Sequence, residues 1–526
     1  MSVRSSSQLK CALAACILAL ALSVASIAEQ PGKPSTSCES LAKLSIPGTT
    51  ITLAQSYAAG EFTVPRQGPG GPGGPGGPGG PGGPGGPQAQ QSLPAFCRVT
   101  ATLKPSADSD IKIEVWLPTA GWNGKFLGVA NMGWGGSILY RNMVDPLTRG
   151  YAEAATDTGH QGNNGAFLIG HPEKMIDYAY RADHEMTVKA KALVEAFYGA
   201  APKRSYWVGC SLGGYEALAE AKHYPEDYDG IVAGAPINPA SRFNASQIWA
   251  AWLVSKHPES AIPASKFPMI HEAALKACAS PIGLKQGFID DPANCHFDPG
   301  VLECKNGDSA DCLTAAQVGL MRQIYAGPVN PRTGESIFPG ISPGGEAEYA
   351  HFLAEPPSVA VDLYKYAVLQ DPTWDWKTMD YDKDTEKAFK TVDPLMKVND
   401  NLNAFIDHGG KLIMYIGWTE GHNANDMARY YRGVQKNAGP GKQDSVRLFL
   451  NPGMNHCGGG AGCDTFEKLG TIDEWVESGK APEQILSSKM AGGNVVRTRP
   501  LCAYPKVARY KGTGSEDEAS SYVCAE

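Results

Sequence analysis

The amino-acid sequence predicts an α/β fold, a mainly parallel sheet with crossover helices interrupted by a large inserted lid. Three observations carry this expectation. From about Ile111 short apolar runs alternate with helical stretches. A Gly-x-Ser-x-Gly run, Gly209 to Gly213, stands between one apolar run and the helix after it. A segment rich in Pro, Trp and Tyr, 237–399, breaks the rhythm and divides the core into 29–236 and 400–526.

The N-terminus comes first. Arg4 and Lys10 flank or precede an apolar run from Cys11 to Ile27 that ends in small residues. That is the pattern of a secretory signal peptide, 1–28, cut after about Ala28, so a secreted or periplasmic protein is expected. A lipid-attachment box at Cys16 is the competing reading, but most of the apolar stretch follows Cys16, where such a box needs it before. No other run approaches the ~18 apolar residues of a membrane span. Of 13 cysteines, Cys11 and Cys16 lie in the signal, and an oxidising destination makes the remainder a disulfide framework with one left over.

Bulk composition narrows the partners. Of 526 residues, 42% are hydrophobic and 19% charged, and the formal net charge is −8. With no basic block, nucleic acid is excluded as a partner, and a small or neutral substrate fits better. Oligomeric state has no signature in the chain. Between 68 and 87 the sequence repeats Gly-Gly-Pro. The tract is too short and too uniform for collagen and reads as a solvated loop with polyproline character.

The runs FLGVANMGW, YAEAATDTGH, SYWVGCS, DGIVAGAP, KLIMYIGW and SVRLFLNPGM each read as a buried strand entering a loop with Gly, Asn or Pro. Helical segments such as DHEMTVKAKALVEAFYG lie between them. The inserted segment would cover the strand ends, where such folds place their ligands.

With 61 glycines in the chain, a bare Gly-x-Ser-x-Gly match carries little. A second match, Gly340 to Gly344 around Ser342, lies in FPGISPGGE with prolines on both sides and no strand before it. A nucleophile elbow needs a strand, a sharp turn and a helix whose first N–H groups face the reaction centre. Only Ser211 has that context. A serine nucleophile needs a base and the base an orienting carboxylate, in the chain order Ser, acid, His. His456, in the loop NHCGGGAG after SVRLFLNPGM, best fits the base, with a surface histidine as the alternative. Glu420 follows KLIMYIGW and best fits the acid; Asp426, at the start of NDMARYYRGV, competes but also suits a helix cap. Cys210 precedes Ser211 and Cys457 follows His456. If serine and histidine meet, their neighbours are close, and a Cys210–Cys457 disulfide becomes reasonable; a buried free Cys210 is the alternative.

With these motifs in view, GCSLGGYEAL and NPGMNHCGGGAG above all, the sequence resembles the tannase and feruloyl esterase family, which also includes the hydrolase of mono(2-hydroxyethyl) terephthalate. The similarity runs through WNGKFLGVANMGWGGSI, ATDTGH, GGKLIMYIGW, WVESGKAPEQI and RPLCAYPKVARYKG. The resemblance implies an α/β-hydrolase fold with a large inserted lid domain. It also implies a serine esterase acting on aromatic (galloyl or hydroxycinnamoyl type) esters through an acyl-enzyme, its Cys210–Cys457 pair bonded. Other aryl esters, terephthalate monoesters among them, are the alternative substrates, and a non-catalytic binding protein that keeps the fold is the rival class.

Family members carry Asp where this chain has Glu420, and the fold accepts either carboxylate. By the same resemblance the oxyanion hole uses the N–H groups of Leu212 and Gly133. The family's calcium loop aligns with CASPIGLKQGFIDDPANC, where Ala279, Ile282 and Gln286 stand at the acidic positions. A hard cation needs about six to eight oxygen ligands, so no calcium or other cofactor is expected, with Cys278–Cys295 bridging the loop. Spacing and resemblance together pair Cys304 with Cys312, Cys502 with Cys524 and Cys38 with Cys97, leaving Cys463. Asp157 and His160 read as a turn after a strand. Trp374, Trp376 and Tyr381 offer either an aryl pocket or lid core.

Overall fold

A computed structural model describes residues 32–65 and 92–526. The expected signal peptide, 1–28, and the Gly-Pro tract, 68–87, lie outside the described residues.

Nine strands form one sheet: β1 (Thr49–Tyr57), β2 (Phe96–Leu103), β3 (Ile111–Pro118), β4 (Lys125–Val129), β5 (Ala152–Thr156), β6 (Arg204–Cys210), β7 (Gly230–Gly234), β8 (Lys411–Gly417) and β9 (Val446–Asn451). Their spatial order is β1-β2-β3-β5-β4-β6-β7-β8-β9. From β5 to β9 every pairing is parallel, whereas β1, β2, β3 and β5 pair antiparallel. The parallel half is the part the apolar runs announce. Every residue of β5 and β7 is buried, as a strand covered on both faces requires. The antiparallel half was not anticipated, because β1 is an edge strand with mixed exposure and lacks a continuous apolar run.

Five helices position the site: α1 (Ala182–Tyr198), α2 (Leu212–His223), α3 (Ala240–Lys256), α4 (Ala424–Ala438) and α5 (Leu469–Ser478). Leu193, Phe197, Leu218 and their neighbours belong to one hydrophobic core. Leu469, Ile472 and Trp475 of α5 pack in a second, with Tyr206, Val232 and Ile413 of the sheet. The two cores clothe opposite faces, because alternate strand side chains point to opposite sides.

Residues 235–410 insert between β7 and β8 and contain helices but no named strand. The lid span 237–399 lies within them. Its centre is α3, twelve of whose residues are buried; Trp249 and Trp252 stack 5.4 Å apart, and Tyr381 meets both edge-on.

The chain leaves β4 for β5 on one side, while β6, β4's other neighbour, leads on to β7. This reversal is a topological switch point, and the crevice at the carboxyl ends of such strands is where open α/β sheets bind ligands. The loop after β4 contains Gly133, and the residue after β6 is Ser211.

Candidate active site

Ser211 is the turn between β6 and α2, at φ 65° and ψ −121°. A non-glycine residue there is strained, and the surroundings enforce it. Ser211 N–H donates to Gly234 O at 3.0 Å, tying the turn to β7. A Cβ on Gly214 would lie 2.0 Å from Gly234 O, and one on Gly213 2.5 Å from the Ala130 Cβ. The glycines after the serine therefore let three strand ends converge. Leu212 opens the helix, so its N–H has no intrahelical acceptor and points with the helix dipole toward the crevice.

Glu420 lies in the loop after β8, its side chain fully buried. Oε1 accepts the Gly417 N–H at 2.9 Å, and Oε2 lies 2.5 Å from His456 Nδ1. That contact leaves the His456 Nε2 lone pair free to act as a base. Burial alone would raise the Glu420 carboxyl; the facing His456 and His422 outweigh it and hold it at about 2. Asp426 is elsewhere. It pairs with Arg429 at 2.6 Å, and its N–H is capped by Asn423 Oδ1 at 3.0 Å.

His456 follows β9. Cys210 and Cys457 are bonded, with Cα atoms 6.0 Å apart, which sets the neighbours of Ser211 and His456 side by side. His456 Nε2 is 3.7 Å from Cys457 Sγ. Among the described residues no hydrogen bond joins Ser211 Oγ to His456, and such contacts commonly tighten only when substrate is bound. A lid residue, Glu348, accepts from Asn455 Nδ2, and Asn455 Oδ1 accepts from Thr419 Oγ1 at 2.7 Å. Lid, acid loop and histidine loop are thus joined.

His422 escapes the sequence analysis. Its Nδ1 lies 3.1 Å from the same Glu420 Oε2. Its ring stacks on His456 at 4.1 Å and 5° and on Phe243 at 4.2 Å and 19°. Burial, then the neighbouring His456, lowers its pKa to about 4, so it is neutral and donates to the carboxylate. Its proximity to Glu420 in Glu420-Gly421-His422 was the one available signal. Ligand atoms of Glu420, His422 and His456 all lie within 4.8 Å of one another, close enough for a cation, yet both Nδ1 atoms already meet Oε2 at hydrogen-bond distance.

The loop after β4 is pinned at several points. Asn131 N–H donates to Glu216 Oε2 at 2.9 Å, Trp134 N–H to Asn163 Oδ1 at 2.9 Å, and Gly136 N–H to Asp157 O at 3.1 Å. Gly133, at φ 62°, has no acceptor for its N–H among the described residues. Asp157 Oδ1 takes the N–H groups of Lys112 and Gly159, and His160 stacks on Phe167 at 3.6 Å. These two shape a turn beneath the loop.

Ser342, in the second Gly-x-Ser-x-Gly match, is buried, and Gly340 O accepts from Asn423 Nδ2; that segment braces the acid loop. Tyr381 is buried with its hydroxyl on Ala245 O at 3.0 Å, and Trp374 stacks on Tyr364, so both serve lid packing; Trp376 is half-buried against the same core. The remaining bonds are Cys38–Cys97, Cys278–Cys295, Cys304–Cys312 and Cys502–Cys524; Cys463 is free and buried. In the 278–295 loop Ala279 and Ile282 offer no side-chain oxygen. Gln286 Nε2 donates to Asp517 at 3.1 Å, Asp290 accepts from Ser280 N–H, and Asp291 pairs with Arg509. This donor set does not fit calcium.

A strained serine at a strand–helix turn, with a Glu–His pair carried on the ends of β8 and β9, belongs to a fold that is an α/β hydrolase. The chain belongs to the tannase and feruloyl esterase family, which matches residues 97–525. It is 35% identical to an uncharacterized esterase of Xanthomonas campestris pv. campestris, over 94% of this chain and 92% of the other. It is 32% identical to a probable feruloyl esterase B-1 of Aspergillus oryzae, over 82% and 84%. The crystal structure of feruloyl esterase B from Aspergillus oryzae superposes with a TM-score of 0.82 at 29% identity, covering 93% of this chain and 99% of that one.

Proposed function

We propose that the protein is an exported serine esterase that hydrolyses esters of aromatic acids of the hydroxycinnamoyl or galloyl type. His456 Nε2 takes the Ser211 proton as Oγ attacks the ester carbonyl carbon. The N–H groups of Leu212 and Gly133 hold the oxyanion, a contribution of about 3 kcal/mol for each such donor in serine hydrolases. Collapse of the tetrahedral intermediate releases the alcohol, which takes the proton from His456. Water then attacks the acyl-enzyme, delivers a proton to His456, and the acid departs as Ser211 is reprotonated. Glu420 keeps the imidazole in the Nδ1–H tautomer throughout.

The observation that carries this reading is the 2.5 Å Glu420–His456 contact on a loop bonded to the residue beside Ser211. Turnover of methyl ferulate and methyl gallate by wild type and Ser211→Ala tests it. A fall of about 10⁴-fold or more in kcat is expected for the variant; equal, negligible turnover by both would instead make the protein a binding module. Comparing kcat/KM across the ester panel ranks the acyl groups.

We propose further that no calcium is held at the 278–295 loop, where the Cys278–Cys295 bond closes the segment instead. Metal analysis after dialysis is the check, and stoichiometric calcium would refute it.

A further inference from the structure

A cavity of about 580 Å³ opens beside α4, lined by neither Ser211 nor His456. Four cations face it: Arg242 from the first turn of α3, Lys397, and Arg429 and Arg432 from α4. The two α4 arginines are three residues apart and so share a helix face. One acid, Asp426, lines it too and pairs with Arg429. Arg242 lies over the Phe389 ring at 4.1 Å, and Arg432 donates to the Tyr504 hydroxyl at 2.7 Å. Arg242, Lys397 and Arg432 make no ion pair with a carboxylate among the described residues, although Asp426 feels the charge of Arg242. Four cations thus face one acid, in a protein whose net charge is −8, and a concave site lined by one prevailing sign of charge draws anions.

The rest of the wall mixes Pro239, Ile337, Phe338 and Pro339 with the polar Ser336 and Asn425. Phe338 lines it and meets Phe243 edge-on at 6.0 Å, so two rings separate the cavity from His422. Guanidinium groups grip carboxylates through paired hydrogen bonds, and an aromatic wall beside them suits a ring. Ligand pockets for molecules of this class span ~300–1,000 Å³.

We infer that this cavity binds a small aromatic carboxylate, the kind of acid that the proposed hydrolysis releases, at a place separate from the reacting serine. The choice of acid rests on that proposed function; the cavity's charge does not.

The test is a calorimetric titration of ferulate into the full chain after an aryl phosphonate has blocked Ser211. One-to-one binding is expected, weakened about tenfold or more in Arg429→Ala/Arg432→Ala and in Lys397→Ala. Methyl ferulate, which lacks the charge, should not bind. Both sets of side chains are exposed, and the unblocked variants should hydrolyse methyl ferulate as wild type does. Absence of binding, equal binding in the variants, equal binding of the methyl ester, or binding of inorganic phosphate without ferulate would each overturn the inference. Turnover of the ester by unblocked protein reports on the esterase reading separately, so the two failures are told apart.

Discussion

At the scale of single residues, Glu420 and Asp426 make the sharpest contrast. Both carboxylates follow β8, but only Glu420 reaches His456. Glu420→Gln should lower kcat by about 10³- to 10⁴-fold, because the amide cannot hold the required tautomer, whereas Asp426→Asn should leave kcat within about twofold. His422 adds a second expectation. Its Nδ1 shares Oε2 with His456, so the two rings compete for one carboxylate oxygen. His422→Phe keeps an aromatic ring in the stack and removes the donor, so kcat on methyl ferulate should change by about threefold or more while KM stays within about twofold. An unchanged kcat would assign His422 to packing alone. The positions of Ser211, Glu420 and His456 at strand ends were legible because each follows a strong apolar strand in the chain. His422 was not, since its role depends on a ring stack between α3 and two loops that no local pattern encodes.

At the scale of elements, β5 to β9 were readable because strands buried on both faces need unbroken apolar runs. The antiparallel β1–β3 flank and the C-terminal hairpin, where Gln484–Ala491 pairs with Asn494–Cys502, were not. β1 and the hairpin strands are half-exposed and mix polar and apolar residues, β2 and β3 interleave polar residues with their buried ones, and the hairpin leaves Leu486, Val495 and Val496 exposed. Lid detail was hidden for another reason: its helices are short and their apolar residues serve several neighbours at once. The Cys210–Cys457 bond joins elements 247 residues apart. Closing so long a loop restricts the unfolded chain by up to about 5 kcal/mol. Cys210→Ala/Cys457→Ala should lower the thermal midpoint and, by freeing the histidine loop from the elbow, reduce kcat by more than KM changes. Differential scanning calorimetry and steady-state kinetics on methyl ferulate measure both.

At the scale of the whole molecule, buried acids set the response to pH. Burial raises Glu153, Asp183 and Glu220 well above the ordinary carboxylate range, and raises Asp157 and Glu216 to about 7. A carboxyl with a raised folded pKa stabilises the fold below its unfolded pKa of about 4 and loses that contribution as pH rises through the folded value. His422 and Glu420 act oppositely. Their lowered pKa values give stability that is full above about 6.5 and 4.5 and is lost as pH falls toward about 4 and 2. Between pH 4.5 and 8 the raised carboxyls, Asp177 and Asp426 among them, are opposed by the lowered histidines His160, His223 and His422; the carboxyls are the larger group, so the thermal midpoint should be higher near pH 5 than near pH 8. Glu153→Gln should flatten that slope; a midpoint that climbs steadily to pH 8 would contradict the balance.

The sulfur bond between elbow and histidine loop also dates the enzyme's birth. Its two halves are made hundreds of peptide bonds apart, and in a glutathione-rich interior they would stay as thiols. A freshly synthesised chain would then be complete in composition yet immature until its surroundings accept its electrons.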